Sequence, residues 1–281
     1  MSNSASIVLV TGCSEGGIGF FLCEEFAAQG CKVYATARRV EAMESLKHES
    51  IERLKLDVTD GANVEEVVKA VLDREGRIDV LFNNAGIPCH GPLVDIPIER
   101  FTEVFDTNAT SVMRMVKAVF PSMAARKSGK IVNVGSIVGD VPTPWSGAYS
   151  ASKAALKSIS ETLYMECAPF GVSVTHIAPG GVKSHVADNS LARLSIPPDS
   201  LYAGWLDKII ARINASKSPK SMATDEFARR VVKTVLSPKP PQYMTLGENA
   251  WLFRFFGWLP RTLALAIMWY VTAGKPKSKA A

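Results

Sequence analysis

Ile7-Val8-Leu9-Val10-Thr11-Gly12-Cys13-Ser14-Glu15-Gly16-Gly17-Ile18-Gly19 is the stretch on which the fold turns. The apolar run Ile7–Thr11 is too short for a buried helix and reads as a buried strand. Glycines follow at once, and after them the segment 18–29 takes up helical periodicity. A strand that delivers glycines to a helix start suits one task well. The backbone can turn sharply and approach an anion closely, and the helix offers free N–H groups to it. Gly12, Ser14, Gly17, Ile18 and Gly19 are therefore candidate contacts to a pyrophosphate. A glycine-rich loop alone is weak evidence; its place between strand and helix strengthens it.

The same alternation continues outward. Short apolar runs at 32–36, 53–56, 80–83, 130–134 and 172–178 read as buried strands, and 243–246 as an added edge strand. Helical periodicity fills 63–75 and 147–168 between them. Crossovers of this length predict an α/β fold, a doubly wound parallel sheet with helices on both faces. The 281 residues contain 47% hydrophobic residues, enough for a sizeable core. The expected organisation is one such α/β domain over 1–250, followed by a tail over 251–281.

The second strand ends in Ala37-Arg38-Arg39. A site for NAD normally places an acidic residue here, on the ribose 2′-hydroxyl. A guanidinium suits a 2′-phosphate, so NADPH/NADP+ with Arg38 as the selecting residue is the better fit. Glu15 is an awkward neighbour if it points at the same phosphate.

Tyr149-Ser150-Ala151-Ser152-Lys153 opens the long helix at 147–168. The four-residue spacing puts Tyr149 and Lys153 on one face. A free phenol titrates near ~10, too high for efficient proton exchange at neutrality, and a nearby ammonium is expected to bring that down. Ser136 follows the strand at 130–134, and its hydroxyl can lean over the same sheet edge to hold a carbonyl.

Taken together, the glycine-rich loop, Asp57-Val58, Asn83-Asn84-Ala85-Gly86, Asn108, Ser136, the Tyr149/Lys153 pair and Pro179-Gly180-Gly181-Val182 resemble the short-chain dehydrogenase/reductase family over roughly residues 5–250. The resemblance implies that Asp57 binds the adenine amine with the Val58 backbone beside it. It implies that Asn84, with Ala85 and Gly86, lies along the cofactor, and that Asn108 holds a water in a proton relay to Lys153. Ser136 would polarise the carbonyl, Tyr149 would donate the proton, and Lys153 would bind the nicotinamide ribose. The Val182 backbone would meet the carboxamide, with Ser184 near the diphosphate. Two departures stand out: Ser184 replaces the usual Thr, and the glycine loop is one residue longer, which leaves Gly16 and Gly17 as rivals for the phosphate contact.

Beyond this core, 185–220 should form a flap over the substrate, rich in apolar side chains such as Leu191, Leu194, Tyr202, Trp205 and Ile209. Either it faces a greasy substrate or it packs on the core. Lys208, Arg212, Lys217 and Lys220 would either meet a phosphate or form a solvated face, the second being the default. The tail holds Trp251, Phe253, Phe255, Phe256 and Trp258 and ends with Lys275, Lys277 and Lys279. Its final apolar run is short of the ~20 residues needed to span a bilayer. Aromatics with flanking cations fit peripheral membrane or lipid-droplet association through 251–271; packing over the pocket or across a subunit contact is the alternative. The layout is similar to a fungal and yeast branch of NADPH-dependent 1-acyldihydroxyacetone-phosphate reductases. That implies a lipid-like ketone substrate and the cytosolic face of the endoplasmic reticulum or a lipid droplet, with a plain cytoplasmic site as the alternative. The family also implies a homo-oligomer.

Other classes fit less well. A net charge of +5 without a basic block argues against a nucleic-acid partner. Five scattered cysteines and no His/Cys cluster argue for a reducing compartment and no metal. The run Ile7–Thr11 lacks the basic flank and length of a secretory signal. Steroid, polyketide or terpenoid ketones remain rival substrates. A non-catalytic cofactor-binding or lipid-droplet protein is the rival of another class, and the retained Tyr149, Lys153, Ser136 and Asn108 weigh against it.

Overall fold

The computed structural model describes residues 5–275. Seven strands form one parallel sheet in the order β3-β2-β1-β4-β5-β6-β7. They are β1 (Ile7–Thr11), β2 (Lys32–Ala37), β3 (Ile51–Lys55), β4 (Val80–Asn83), β5 (Gly129–Val134), β6 (Val172–Pro179) and β7 (Tyr243–Leu246). The helices are α1 (Ile18–Ala28), α2 (Gly61–Glu75), α3 (Ile98–Phe105), α4 (Ser111–Arg126), α5 (Gly147–Cys167), α6 (Val186–Leu191), α7 (Leu206–Ile213), α8 (Thr224–Leu236), α9 (Ala250–Phe256) and α10 (Arg261–Thr272). The expected doubly wound architecture is present, with an apolar layer on each face of the sheet. One joins α1 and α8 to Val8, Val10, Val33 and Phe82; the other joins α2, α4 and α5 to Leu9, Leu81, Ile131 and Val174. Alternate residues of β1 feed opposite layers, as the two-residue period of a strand requires.

Strand β3 begins two residues earlier than its apolar pattern suggests, because pairing of Val33 with Ile51 sets its register. As an edge strand it carries Glu52 and Arg53, which hide it from a hydrophobicity scan. Local chemistry fixes the ends of α2. Asp60 Oδ1 accepts from the amides of Ala62 and Asn63, and Gly76 closes the helix at φ 71°.

Strand order reverses around β1, whose neighbours are β2 and β4. A crevice opens at such a switch point, beyond the C-terminal strand ends. Thr11, Asn83, Val134 and Pro179 all end on that edge. Buried hydrogen bonds stiffen it from behind: Asn83 Nδ2 donates to Asn133 Oδ1 at 2.9 Å, and Asn133 Nδ2 to Ser160 Oγ at 3.0 Å.

Candidate active site

A cleft of about 620 Å³ runs along the C-terminal edge of the sheet, from Arg38 and Asp57 at one end to Tyr149 and Ser136 at the other. Its middle is the glycine turn. Gly12 has φ +73°, and a Cβ there would lie 2.7 Å from the Ala85 Cα. Asn84 locks this approach by donating from Nδ2 to the carbonyls of Thr11 and Gly12, each at 2.9 Å. Thr11 Oγ1 accepts in return from the amides of Asn84 and Ala85, each at 3.0 Å. Of the two glycines that the longer loop offers, Gly17 lines the cleft, whereas a Cβ on Gly16, at φ +72°, would strike the His185 ring.

Fifteen of the anticipated residues do line the cleft: Gly12, Ser14, Gly17, Ile18, Arg38, Asp57, Val58, Asn84, Ala85, Gly86, Ser136, Tyr149, Lys153, Val182 and Ser184. Two lie behind it. Gly19 is buried, and a side chain there would strike the Gly12 carbonyl, so its glycine serves helix-to-loop packing. Asn108 is fully buried in a π-helical turn, Asp106–Thr110, between α3 and α4. Its Nδ2 donates to the Ile87 carbonyl and to Ser152 Oγ, both at 3.0 Å, and its Oδ1 accepts from the Ile87 amide at 2.8 Å. That side chain braces the loop after β4 against α5. The same segment comes close to the lysine: a Cβ on Gly86 would lie 3.2 Å from Asn108 Oδ1 and 3.5 Å from Lys153 Nζ.

At the far end, Arg38 and Arg39 are both exposed and both line the cleft, with exposed Glu15 beside them. Asp57 Oδ1 accepts from the Thr59 amide and hydroxyl at 2.9 and 2.7 Å. Burial acts to raise the Asp57 carboxyl, but these bonds and the charges of Arg38 and Arg114 together hold it below the usual carboxylate range. A carboxylate with one oxygen committed and two free guanidiniums nearby suit an adenosine bearing a ribose phosphate. The length of the cleft, the Cβ-free turn at its centre and this end together fit a phosphorylated nicotinamide dinucleotide.

The catalytic cluster differs in its electrostatics from the simple expectation. Lys153 is buried, and its Nζ donates to the Val134 carbonyl at 2.7 Å, 5.7 Å from the centre of the Tyr149 ring. Burial drops its pKa to about 8. Burial also raises the Tyr149 phenol above its ordinary value, opposed by a hydrogen bond from Ser136 and the charge of Arg212. Lys153 is not among the groups that hold the phenol down. The neutral phenol is thus the stable form near pH 7, which is the form a proton donor needs. Ser136 is positioned by its own backbone: it starts the short helical turn Ile137–Gly139, and its Oγ accepts from the Val138 amide at 3.4 Å.

Of the two readings of the flap, its apolar side chains follow packing on the core. Leu191, Leu194, Ile196, Tyr202 and Trp205 pack with Ile209 and Ile213 around Trp145 and Ala273, and none of them lines the cleft. Arg212 departs from the solvated-face default of its basic stretch. Lys208, Lys217 and Lys220 are exposed, but Arg212 is half-buried, with its Nε donating to Thr143 Oγ1 at 3.0 Å. Its helix hides the signal: Ile209 and Ile213 are buried, and Arg212 shares their face.

The tail has two faces. Phe253, Phe256, Ala264 and Met268 pack on Ile137, Val138 and Val141, with Tyr149 at the margin. Arg261 donates to the Asp140 carbonyl at 3.0 Å, and the rings of Trp145 and Trp269 lie 6.0 Å apart. The other face leaves Trp258 at 84%, Tyr270 at 82% and Trp251 at 75% exposure. Among the described residues no helix is long and apolar enough to cross a membrane. Lys277 and Lys279, which flank the tail in sequence, lie outside the described residues.

Comparison with known proteins agrees with this geometry. A short chain dehydrogenase family model matches residues 6–194. An NADPH-dependent 1-acyldihydroxyacetone phosphate reductase of Schizosaccharomyces pombe is 44% identical over 225 residues, covering 79% of this chain and 75% of its own. A short-chain dehydrogenase of Streptomyces avermitilis superposes with a TM-score of 0.78 at 32% identity, over 90% of this chain and 91% of that one. The closed form of a serine dehydrogenase in complex with NADP+ gives a TM-score of 0.74 at 27% identity, over 86% and 94%. With the glycine turn, the Tyr149/Lys153 helix and the strand order all in place, the chain belongs to the short-chain dehydrogenase family.

Proposed function

We propose that this chain is an NADPH-dependent reductase of a lipid-like ketone, with 1-acyldihydroxyacetone phosphate reduced to 1-acylglycerol 3-phosphate as the best-fitting reaction. The observation that carries the reductase reading is the convergence of Ser136, Tyr149 and Lys153 on the sheet edge at the opposite end of the cleft from Arg38 and Arg39. The cofactor is NADP(H), in keeping with those arginines, with the name of the fission-yeast relative and with the NADP+ complex of the structural neighbour. When bound, it supplies the hydride.

The residues of this chain supply position and a proton. Ser136 offers its hydroxyl to the substrate carbonyl, and Tyr149 delivers its Oη proton to the oxygen as negative charge develops there. Lys153, anchored on Val134, orients the ribose and stands ready to hold the resulting phenolate. Asn108 keeps the Ile87 loop and α5 in register with this cluster.

The substrate class rests on the relative and on the tail. The exposed Trp251, Trp258 and Tyr270 face fits the membrane interface, and so a substrate that resides there, at the endoplasmic reticulum or a lipid droplet. The packed flap adds nothing to the case for a greasy substrate. The test is NADPH oxidation by the purified chain with acyldihydroxyacetone phosphate beside a steroid and a polyketide-like ketone. Preferential turnover of the first is expected; turnover of another ketone alone would assign a different substrate to the same chemistry.

A further inference from the structure

We propose that Arg212, gripped by Thr143 beside Tyr149 and His90, is the anchor for an anionic group on the ketone substrate, a phosphate monoester. This rests on the reductase reading above and adds what the substrate must carry.

The anchor is assembled from three segments. α7 supplies Arg212 on the same face as buried Ile209 and Ile213, so the guanidinium is carried inward by packing. The loop after Ser136 supplies buried Thr143, whose Oγ1 accepts a hydrogen bond from Arg212 Nε at 3.0 Å. The loop after β4 supplies His90, and it is tied to the second segment by the Gly91 amide, which donates to the Trp145 carbonyl at 2.9 Å. Trp145 is held in the left-handed region at φ 67°, a backbone strain that the surrounding contacts must sustain.

The local charges are out of balance in one direction. A guanidinium has five N–H donors, and one is engaged by Thr143. Among the described residues, the influences on the Arg212 charge are burial and Tyr149, with no carboxylate among them. Two further polar atoms nearby are buried without a hydrogen-bond partner, His90 Nδ1 and Trp145 Nε1. His90 is kept neutral, its pKa lowered to about 3 by burial and by the charge of Arg212. Tyr149 feels the same charge. A half-buried cation without a counter-ion is costly, and adjoining unpaired polar atoms add to the cost. An incoming anion relieves both, and the terminal guanidinium fork matches a phosphate in two parallel hydrogen bonds.

The cofactor is a poor source for that anion. The long cleft with the glycine turn does not include Arg212 among its lining residues. The electrostatic neighbours of Arg212 are Tyr149 and His90, on the reacting side. In a phosphate ester of dihydroxyacetone, one methylene and one oxygen separate the ketone carbon from phosphorus. An anion held at Arg212, whose charge reaches Tyr149, would turn the carbonyl of such a substrate towards the proton donor, with the acyl chain extending the other way.

The experiment compares 1-acyldihydroxyacetone phosphate with its dephosphorylated counterpart of the same acyl chain, using the full chain with NADPH. The wild type should favour the phosphate ester in kcat/KM on the order of 100-fold, mainly through KM. Arg212→Met should collapse that ratio towards unity, and Arg212→Lys should recover part of it, because charge is kept and the fork is lost. NADPH binding by fluorescence identifies variants that have failed to fold. An unchanged ratio in Arg212→Met would overturn the inference. So would an equal loss on both ketones with a shifted pH profile, because Arg212 would then act only through Tyr149. If neither ketone is a substrate, calorimetry with glycerol 3-phosphate on the NADPH-loaded protein decides: binding lost in Arg212→Met supports the anchor, and no binding to the wild type overturns it.

Discussion

Lys153 donates a hydrogen bond from Nζ to the main-chain carbonyl of Val134 at 2.7 Å, and so the end of β5 sets where the ammonium stands. Val134 is the last residue of the strand that also presents Ser136, so one strand end locates both groups around Tyr149. The lysine is held at a fixed height over the sheet edge, with the Tyr149 ring centre 5.7 Å away.

Tyr149→Phe removes the proton donor but keeps the ring that packs beside Ile137 and Val138. NADPH affinity should stay close to wild type while kcat falls by about 10³-fold, the range for loss of a general acid. Cofactor titration by fluorescence and single-turnover kinetics separate the two. Substantial residual turnover would remove Tyr149 from the role.

Lys153 titrates near about 8 in the folded chain, below its ordinary value, because it is buried. Between about 8 and 10.4 the unfolded chain keeps a proton that the folded chain has released, so stability should rise with pH across that window. Below about 8 both states are protonated and the slope vanishes. Denaturant midpoints measured across this range should show the rise in wild type and not in Lys153→Met. The kcat/KM for reduction should fall over the same limb, because the charged lysine is lost there while the Tyr149 phenol, raised by burial, stays protonated.

Arg38 and Arg39 lie exposed where β2 opens into the cleft. Arg38→Asp should weaken NADPH and improve NADH, shifting the ratio of their kcat/KM values by on the order of 100-fold. The double change with Arg39→Ser should shift it further. Comparable kcat/KM for both cofactors in the wild type would refute the selection.

The two faces of the tail should separate by mutation. Phe256→Ala opens the layer shared with Ile137 and Val141 and should cost about 3 kcal/mol, visible as a lower Tm. Deleting 251–281 should therefore destabilise the whole chain as well as alter its distribution. Trp251→Ser combined with Trp258→Ser and Tyr270→Ser touches the exposed face. That variant should keep its Tm and lose binding to phosphatidylserine-containing vesicles in a flotation assay. Unchanged flotation would assign the tail to packing alone.

Much of this molecule was legible in the order of its residues. The strand–glycine–helix opening, the parallel alternation and the Tyr149/Lys153 spacing are local patterns, set by periods of two and 3.6 residues. So is the replacement of an acidic residue by Ala37-Arg38-Arg39, since the end of β2 must meet the ribose. What only the tertiary structure decided depends on contacts between distant segments. Arg212 reads as one cation in a basic stretch until Thr143, 69 residues away, accepts a hydrogen bond from its Nε. Asn108 becomes a brace only when Ser152 arrives from α5. The sequence of the aromatic tail leaves membrane association and packing as alternatives, and only the fold shows which rings pack: Phe253 and Phe256 lie on the Ile137 loop, while Trp258 is exposed. The phenol is subject to the same limit. Spacing puts a lysine on its face, but burial, Ser136 and Arg212 set its protonation, and desolvation is a property of the packed whole.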